Sequence, residues 1–454
     1  MMKKTIYVQS FGCQMNVRDA EEVTGLLLER GYRLTDSEKT ADVVLFNTCS
    51  VREHAEDKVW SLLGAMRNLK AKNPSLVVGV MGCMAKAQKG KIFQRAPHVD
   101  FISGPSQLYE VPELIEAVYK NRQPAESQGN CEKVGRLQPI AAIQQKRRAE
   151  FKTVSYHSGP VSAFVTIMEG CDKVCSYCII PYTRGPEVSR PPQQILEEVK
   201  RLADQGYKEV TLLGQNVNSY GKRFAPQTSF ADLLAQVNAV PGIERIRFTT
   251  SHPWDAVEEL FDAMKDLEHV CEHLHLPVQS GSDRVLERMR RGYAADEYVR
   301  KLELLRQKVP GVAVTTDIIV GFPGETEADF EATVRLMERC RFDSAFMFSY
   351  SPRPYAASTR WPDDIPQEVK DRRLQTILRL QERITREEGE KALNQTVEVL
   401  VEEADRLSAR QGMGRSRTNR KVYFEADGLK AGDLVRVHVE SIRGHSFIGW
   451  ALPR

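Results

Sequence analysis

The sequence contains no apolar run near the roughly 20 residues that cross a bilayer, and its first residues pass from two lysines straight into an apolar strand pattern. A membrane bundle is thereby excluded, and a cytoplasmic protein with no membrane partner is expected. Charge of one sign is also missing: 64 Lys and Arg stand against 61 Asp and Glu, for a net +3. Bulk positive charge therefore cannot be what holds a nucleic acid. Nor is the chain short of core material, because 41% of its 454 residues are hydrophobic and 28% charged. Wholesale disorder is excluded, and the length suggests about three domains.

A disulfide framework is absent as well. Nine cysteines, at 13, 49, 83, 131, 171, 175, 178, 271 and 340, make an odd count in a long chain expected to carry no signal peptide. That favours metal ligation, catalysis or simple burial. Cys271 and Cys340 have no partner motif and are expected to fill core space; Cys131 lies in a stretch of weak periodicity and is expected to be a bystander.

What is present begins with a repeat. TIYVQSFGC (5–13), DVVLFNTC (42–49) and LVVGVMGC (76–83) are three β-rich apolar runs, each ending in a cysteine. Helical patterns over 20–30 and 53–69 separate them. Strand and helix alternating at about 35 residues predict βαβ crossovers and a parallel sheet, whose strand C-terminal ends share one edge. Cys13, Cys49 and Cys83 would meet at that edge although 36 and 34 residues separate them. Each alone could be a small buried strand-end residue; three at equivalent positions favour ligation. Three thiolates without a fourth suit a cluster with one open metal site better than a closed zinc site.

After a weakly periodic stretch containing QQKRRAEFK, expected to be a linker over 121–152, the strand SAFVTIMEG leads into Cys171, Cys175 and Cys178. A zinc ribbon would need a second CxxC pair some 15–20 residues away, and none follows. A thioredoxin-type pair would leave Cys171 unexplained. Five further strand patterns alternate with helical ones near 193–206, 228–239, 254–267, 294–308 and 326–340. With the cysteine-bearing strand they predict six βα units, a partial TIM-like barrel with its active site at the strand C-terminal ends. From 389 onward the pattern turns to short alternating strands, a small antiparallel β-barrel, interrupted by RQGMGRSRTNRK. That segment reads as a flexible basic loop for a phosphate backbone, with Arg415, Arg417, Arg420 and Lys421 as RNA contacts.

The C-x3-C-x2-C loop after a β-strand resembles the radical S-adenosylmethionine (SAM) superfamily. The resemblance implies that Cys171, Cys175 and Cys178 hold three irons of a [4Fe–4S] cluster while SAM takes the fourth. One electron would then cleave SAM to a 5′-deoxyadenosyl radical. It further implies SAM contacts from Tyr177, from Gly214, Gln215 and Asn216, from Gln279 and Ser280, and from Asp317 and Gly321. The C-terminal segment resembles the TRAM domain of RNA-modifying enzymes.

Together, a three-cysteine N-terminal domain (3–120), a radical SAM core (153–388) and a TRAM domain (389–453) resemble the radical SAM methylthiotransferases across nearly the whole chain. That resemblance implies a transferase with two [4Fe–4S] clusters. The one on Cys13, Cys49 and Cys83 would be auxiliary and donate sulfur, and SAM would serve as methyl donor and radical source. QSFGCQMN and GCDKVCSYCIIPYTRGPEVSRP are most similar to the MiaB branch, which acts on N6-dimethylallyladenosine 3′ of the tRNA anticodon. Threonylcarbamoyladenosine, or a ribosomal protein, is the alternative substrate; a nonenzymatic iron–sulfur RNA-binding or electron-transfer protein is the alternative of another class. The implied partners are tRNA, a sulfur source and an electron donor such as flavodoxin or ferredoxin, with the enzyme a monomer. No side-chain acid or base is assigned.

Overall fold

The computed structural model describes residues 4–49, 53–122, 139–144, 151–152, 156–404, 411–425 and 428–453. Cys131 and most of the expected linker lie outside them.

The N-terminal unit is a parallel sheet of β1 (Thr5–Phe11), β2 (Arg33–Leu34), β3 (Val43–Thr48), β4 (Val77–Gly82), β5 (Phe101–Ser103) and β6 (Ile140–Ala142), in the order β2-β1-β3-β4-β5-β6. β3 and β4 are buried throughout, as near-continuous apolar strands between two helical layers should be. The edge strand β6 falls inside the stretch expected to be a linker. It pairs with β5 through Ile140, Ala141 and Ala142, too short a run for periodicity to reveal. The first helix also differs from expectation: it begins at Gln14, directly after Cys13, and runs to Glu29. Its first turns are polar, so an apolar reading places its start too late. Yet Asn16, Arg18, Asp19, Glu21 and Glu22 are all buried.

The central unit starts with β7 (Ser162–Thr166), followed by a two-stranded hairpin of β8 (Met168–Glu169) and β9 (Val188–Ser189) that brackets the cysteine loop. Then come β10 (Glu209–Leu213), β11 (Arg245–Thr249), β12 (His273–His275), β13 (Ala313–Val320) and β14 (Ser344–Ser349). Parallel pairing joins β7, β10 and β11 into one sheet and β12, β13 and β14 into another. A parallel bridge between Ile246 and Val270 links the two. The six strands form an open half-barrel in chain order, with helices 192–204, 230–238, 258–266, 295–308 and 327–340 on its outer face. Aligned partners in parallel strands share a face. The lumen therefore receives Phe164, Thr211, Leu213, Arg247, His275, Thr315, Asp317, Phe346 and Phe348.

Helix Gln367–Glu390 packs along β14 and leads into the C-terminal unit. This is a closed barrel of β15 (Thr396–Glu403), β16 (Gln411–Ser416), β17 (Lys421–Glu425), β18 (Leu434–Arg443) and β19 (Ser446–Ala451). Two expectations are corrected here. The arginine-rich segment is not a flexible loop, because residues 411–416 are strand β16, paired on both sides. The barrel is also not wholly antiparallel, since β17 and β19 run parallel. Among the described residues no helix is long and apolar enough to cross a membrane.

Candidate active site

Gly170 follows β8; its φ of +81° suits glycine, and an added Cβ would meet the Pro186 carbonyl oxygen at 2.1 Å. The chain then turns through Cys171–Cys178 under firm backbone control. The Cys171 N–H donates to Gly185 (3.1 Å) and the Ser176 N–H to Met289 (3.0 Å), while Ser176 Oγ donates to the Arg288 carbonyl (2.8 Å). Every sulfur of the loop receives a nitrogen donor. Lys173 N–H reaches Cys171 Sγ and Ile180 N–H reaches Cys178 Sγ, both at 3.4 Å, and Arg291 Nη1 reaches Cys175 Sγ at 3.3 Å. Donors aimed at sulfur favour thiolates. Burial opposes them, pushing the free thiols of Cys171 and Cys178 up to about 11 and 12. The loop therefore suits an electropositive partner that displaces protons from sulfur.

The second triad is built from strand ends. Cys13 follows β1 and Gly12, Cys49 follows β3, and Cys83 follows β4 and Gly82. Close approach of these ends requires the glycines: Gly12 has φ +115° and its Cβ would lie 2.2 Å from the Cys49 Cβ, while Gly82 has φ +93° and its Cβ would lie 2.3 Å from Asn47 Oδ1. A hydrogen bond with the Cys49 sulfur, helped by the nearby Arg184 charge, outweighs burial and brings the Cys13 thiol down to about 6. Burial raises Cys83, and Arg184 partly offsets it. Arg184 is itself buried, held by Asp19 from the N-terminal unit and by Glu169 (2.9 Å) from β8.

All six cysteines line one cavity of about 1880 Å³, which continues down the lumen and along the open side of the half-barrel to the C-terminal unit. That volume exceeds the roughly 300–1,000 Å³ of a single small-molecule pocket and has room for more than one ligand. Among the described residues no three ligating side chains close on a single metal ion. Thiolates that each take a separate iron of a cluster need no such closure.

Of the residues expected to hold SAM, Tyr177, Gly214, Gln215, Gln279 and Asp317 line the cavity, whereas Asn216, Ser280 and Gly321 do not. Asn216 Nδ2 donates to Asp255 (2.7 Å), Ser280 sits in a hydroxyl contact with Thr333 (3.3 Å), and the Gly321 N–H is taken by Glu325 (2.6 Å). Gln215 accepts from the Gly170 N–H at 2.5 Å, which ties the turn after β10 to the start of the cysteine loop.

Arg415, Arg420 and Lys421 line the far end of the cavity. Arg415 pairs with Glu402 (3.0 Å) and Arg420 with Asp343 (3.4 Å). Arg417 lies outside the lining, held by both oxygens of Glu272 (2.7 and 2.8 Å) and by the Val270 carbonyl (2.7 Å). In return, Arg245 donates to the Arg415 carbonyl (2.6 Å), and Arg247 to those of Ser416 (2.7 Å) and Arg417 (2.8 Å). These bonds fasten the C-terminal barrel to the strand N-terminal end of the half-barrel.

Three site residues escaped the sequence reading. Arg291, inside RMRRGY, resembles one of several solvated arginines but is buried, bonded to Cys175, Tyr177 (3.2 Å) and Pro277 (2.7 Å). His252 Nε2 stands 3.9 Å from Cys175 Sγ. Arg184, in YTRG, gave only a cue of proximity to the cysteine loop. Cys271 and Cys340 are buried in the core, as expected.

Comparison with known proteins finds three family models along the chain. The uncharacterized protein family UPF0004 matches residues 5–104, the Radical SAM superfamily 165–337 and the TRAM domain 390–451. A tRNA-2-methylthio-N(6)-dimethylallyladenosine synthase of Acetivibrio thermocellus is 45% identical over 98% of this chain and 91% of its own. One from Moorella thermoacetica is 46% identical over 96% of each. Among solved structures, the radical S-adenosylmethionine methyltransferase TsrM of Kitasatospora setae, with cobalamin and a [4Fe-4S] cluster bound, shares the fold at a TM-score of 0.55. It is 15% identical and covers 79% of this chain and 77% of that one.

Proposed function

From its membership of the tRNA-2-methylthio-N(6)-dimethylallyladenosine synthase family, to which the chain belongs, we propose that it converts N6-dimethylallyladenosine beside the tRNA anticodon to the 2-methylthio derivative. It is a radical SAM transferase that moves sulfur, and its substrate is tRNA. One observation carries the finer reading: both cysteine triads open on the same cavity. Cys171, Cys175 and Cys178 would hold the [4Fe–4S] cluster that supplies the electron for SAM cleavage, and Cys13, Cys49 and Cys83 a second that supplies sulfur.

The chain's own residues have definable tasks around these groups. Arg291 places a fixed positive charge against Cys175 and fastens Tyr177, so the loop keeps one shape as charge changes within it. Tyr177, Gly214, Gln215, Gln279 and Asp317 form the wall against which SAM would lie. Arg18, from the N-terminal unit, meets Glu198 of the half-barrel at 2.8 Å, and Arg184 joins Asp19 to Glu169. All five side chains are buried, so the two units, and hence the two triads, are held in register. Phe346 and Leu378 stand exposed although they line the cavity. Lys370 reaches the Tyr350 carbonyl (3.4 Å) and Gln381 that of Phe342 (2.7 Å), so helix 367–390 runs antiparallel to β14 along the cavity. Apolar surface there suits a dimethylallyl chain better than a charged threonylcarbamoyl group. Arg415, Arg420 and Lys421, at the far end of the cavity, would face the tRNA backbone.

The test is direct. Reconstituted protein, SAM, dithionite and prenylated tRNA should yield 2-methylthio-N6-dimethylallyladenosine on nucleoside mass analysis, and unprenylated tRNA should not. Cleavage of SAM without that nucleoside would refute the substrate assignment.

A further inference from the structure

We propose that Asp317 and Phe346 together read the N6 position of the target adenine: the Asp317 carboxylate accepts its single N6–H, and Phe346 packs on the dimethylallyl chain beside it. This deepens the substrate reading above and rests on it. Both are specificity-determining residues, and neither makes or breaks a bond.

Strand pairing sets the two residues side by side. Asp317 of β13 is aligned with Phe346 of β14, so both project into the lumen from one level. The Asp317 side chain is 28% exposed and Phe346 47%, and both line the cavity. His275 stands one level deeper, aligned with Thr315. Its Nε2 lies 3.6 Å from Asp317 Oδ2, and its ring meets that of Phe346 edge-on at 6.1 Å. His275 is fixed in turn by Thr315 Oγ1, 2.9 Å from Nδ1. The carboxylate therefore faces down the lumen. Among the described residues no lysine or arginine pairs with it, and Arg247 of the same lumen is held by Glu209 at 2.8 Å. An acceptor open to the cavity without a protein cation is available to a ligand donor.

The chemistry of the base selects the occupant. N6 of a prenylated adenine carries one hydrogen and one dimethylallyl chain, adjacent in the plane of the ring. An acceptor beside an aromatic surface complements that pair. The adenine of SAM carries two hydrogens on N6 and no chain, so it would leave Phe346 without a partner. A threonylcarbamoyl group would set its own carboxylate against Asp317. Depth agrees with this division of the wall. Asp317 lies within β13, whereas Gly214 and Gln215 follow the end of β10, and Gln279 lies beyond the end of β12. Of these four, Asp317 reaches furthest toward the lumen floor. Binding through N6 also leaves C2 uncovered for the methylthio group.

The experiment measures binding of the full-length reconstituted protein to three anticodon stem–loops. One carries N6-dimethylallyladenosine, one plain adenosine, and one O6-dimethylallylinosine, in which an ether oxygen replaces the N6–H. The wild type should bind the N6 compound about tenfold more tightly than the ether. Asp317→Asn, whose amide can donate to the ether oxygen, should lose that preference. Phe346→Ala should weaken both prenylated RNAs about tenfold. Both variants should hold the plain RNA as the wild type does, which reports a folded protein. A preference for N–H over ether that survives in Asp317→Asn would overturn the proposal, as would full-strength binding of prenylated RNA by Phe346→Ala. Loss of S-adenosylhomocysteine binding in Asp317→Asn, in place of that preference, would assign the carboxylate to SAM and overturn it too. If the wild type itself does not distinguish prenylated from plain RNA, the substrate reading fails and takes this proposal with it.

Discussion

The two cysteine triads reach one cavity by opposite routes. Cys171, Cys175 and Cys178 sit within eight residues on a loop whose shape is fixed by its own backbone and by Arg291. Cys13, Cys49 and Cys83 are gathered from three strand ends, and their proximity depends on the whole N-terminal sheet. A local site depends on a few contacts, whereas a dispersed one depends on topology and on every close approach that topology demands. The difference predicts how each will break.

The largest effect should come from the local triad. Cys171→Ala should abolish SAM cleavage, read as loss of 5′-deoxyadenosine, because it removes one of the three thiols that would hold the reducible cluster. Next, Gly12→Ala should disable the dispersed triad without altering any cysteine, since its Cβ would overlap Cys49 and its φ of +115° disfavours any side chain. Iron after reconstitution should drop from about eight to about four per chain while the radical-cluster signal persists. Full iron in this variant would show that the strand ends need no such approach.

A smaller effect bears on the register between the triads. Glu198→Gln removes the carboxylate that binds Arg18 (2.8 Å) and Arg190, leaving buried guanidinium groups under-compensated. Urea unfolding should report a loss of roughly 3 kcal/mol. A loss under about 0.5 kcal/mol would mean that the two units are held by something else.

The same interface should also respond to acid. Burial, then the neighbouring Arg18 charge, lowers the His157 pKa to about 3. Nδ1 stands 3.1 Å from Arg18 Nη1 and can accept only while neutral. An unfolded histidine takes its proton near pH 6.5. The depressed folded value therefore contributes stability that is present above about pH 6.5 and lost as pH falls toward 3. That share is about 1.4 kcal/mol between pH 7.5 and 5.5. His157→Gln should flatten the stability–pH profile by that amount, and an unchanged slope would assign the acid sensitivity to other groups.

Legibility in the sequence followed the same division. Both triads could be found, one as a spacing and the other as three apolar runs ending alike, and the βα alternation placed the six half-barrel strands. Periodicity missed polar surface that another unit covers. In QMNVRDAEE the charged residues look like a solvated face, but Arg18 and Asp19 meet Glu198 and Arg184 across the interface. The arginines of β16 and the turn after it looked free because no acid lies within their segment. The partners of Arg417 and Arg420, Glu272 and Asp343, lie 145 and 77 residues away in sequence. Local pattern reports which side chains are charged; it does not report what will be folded against them.

The central claim is that two triads on one cavity do different work. The most direct measurement is product analysis of Cys49→Ala with SAM, dithionite and prenylated tRNA. The account predicts that 5′-deoxyadenosine continues to form while 2-methylthio-N6-dimethylallyladenosine disappears. Loss of both, as in Cys171→Ala, or persistence of the methylthio nucleoside, would contradict it.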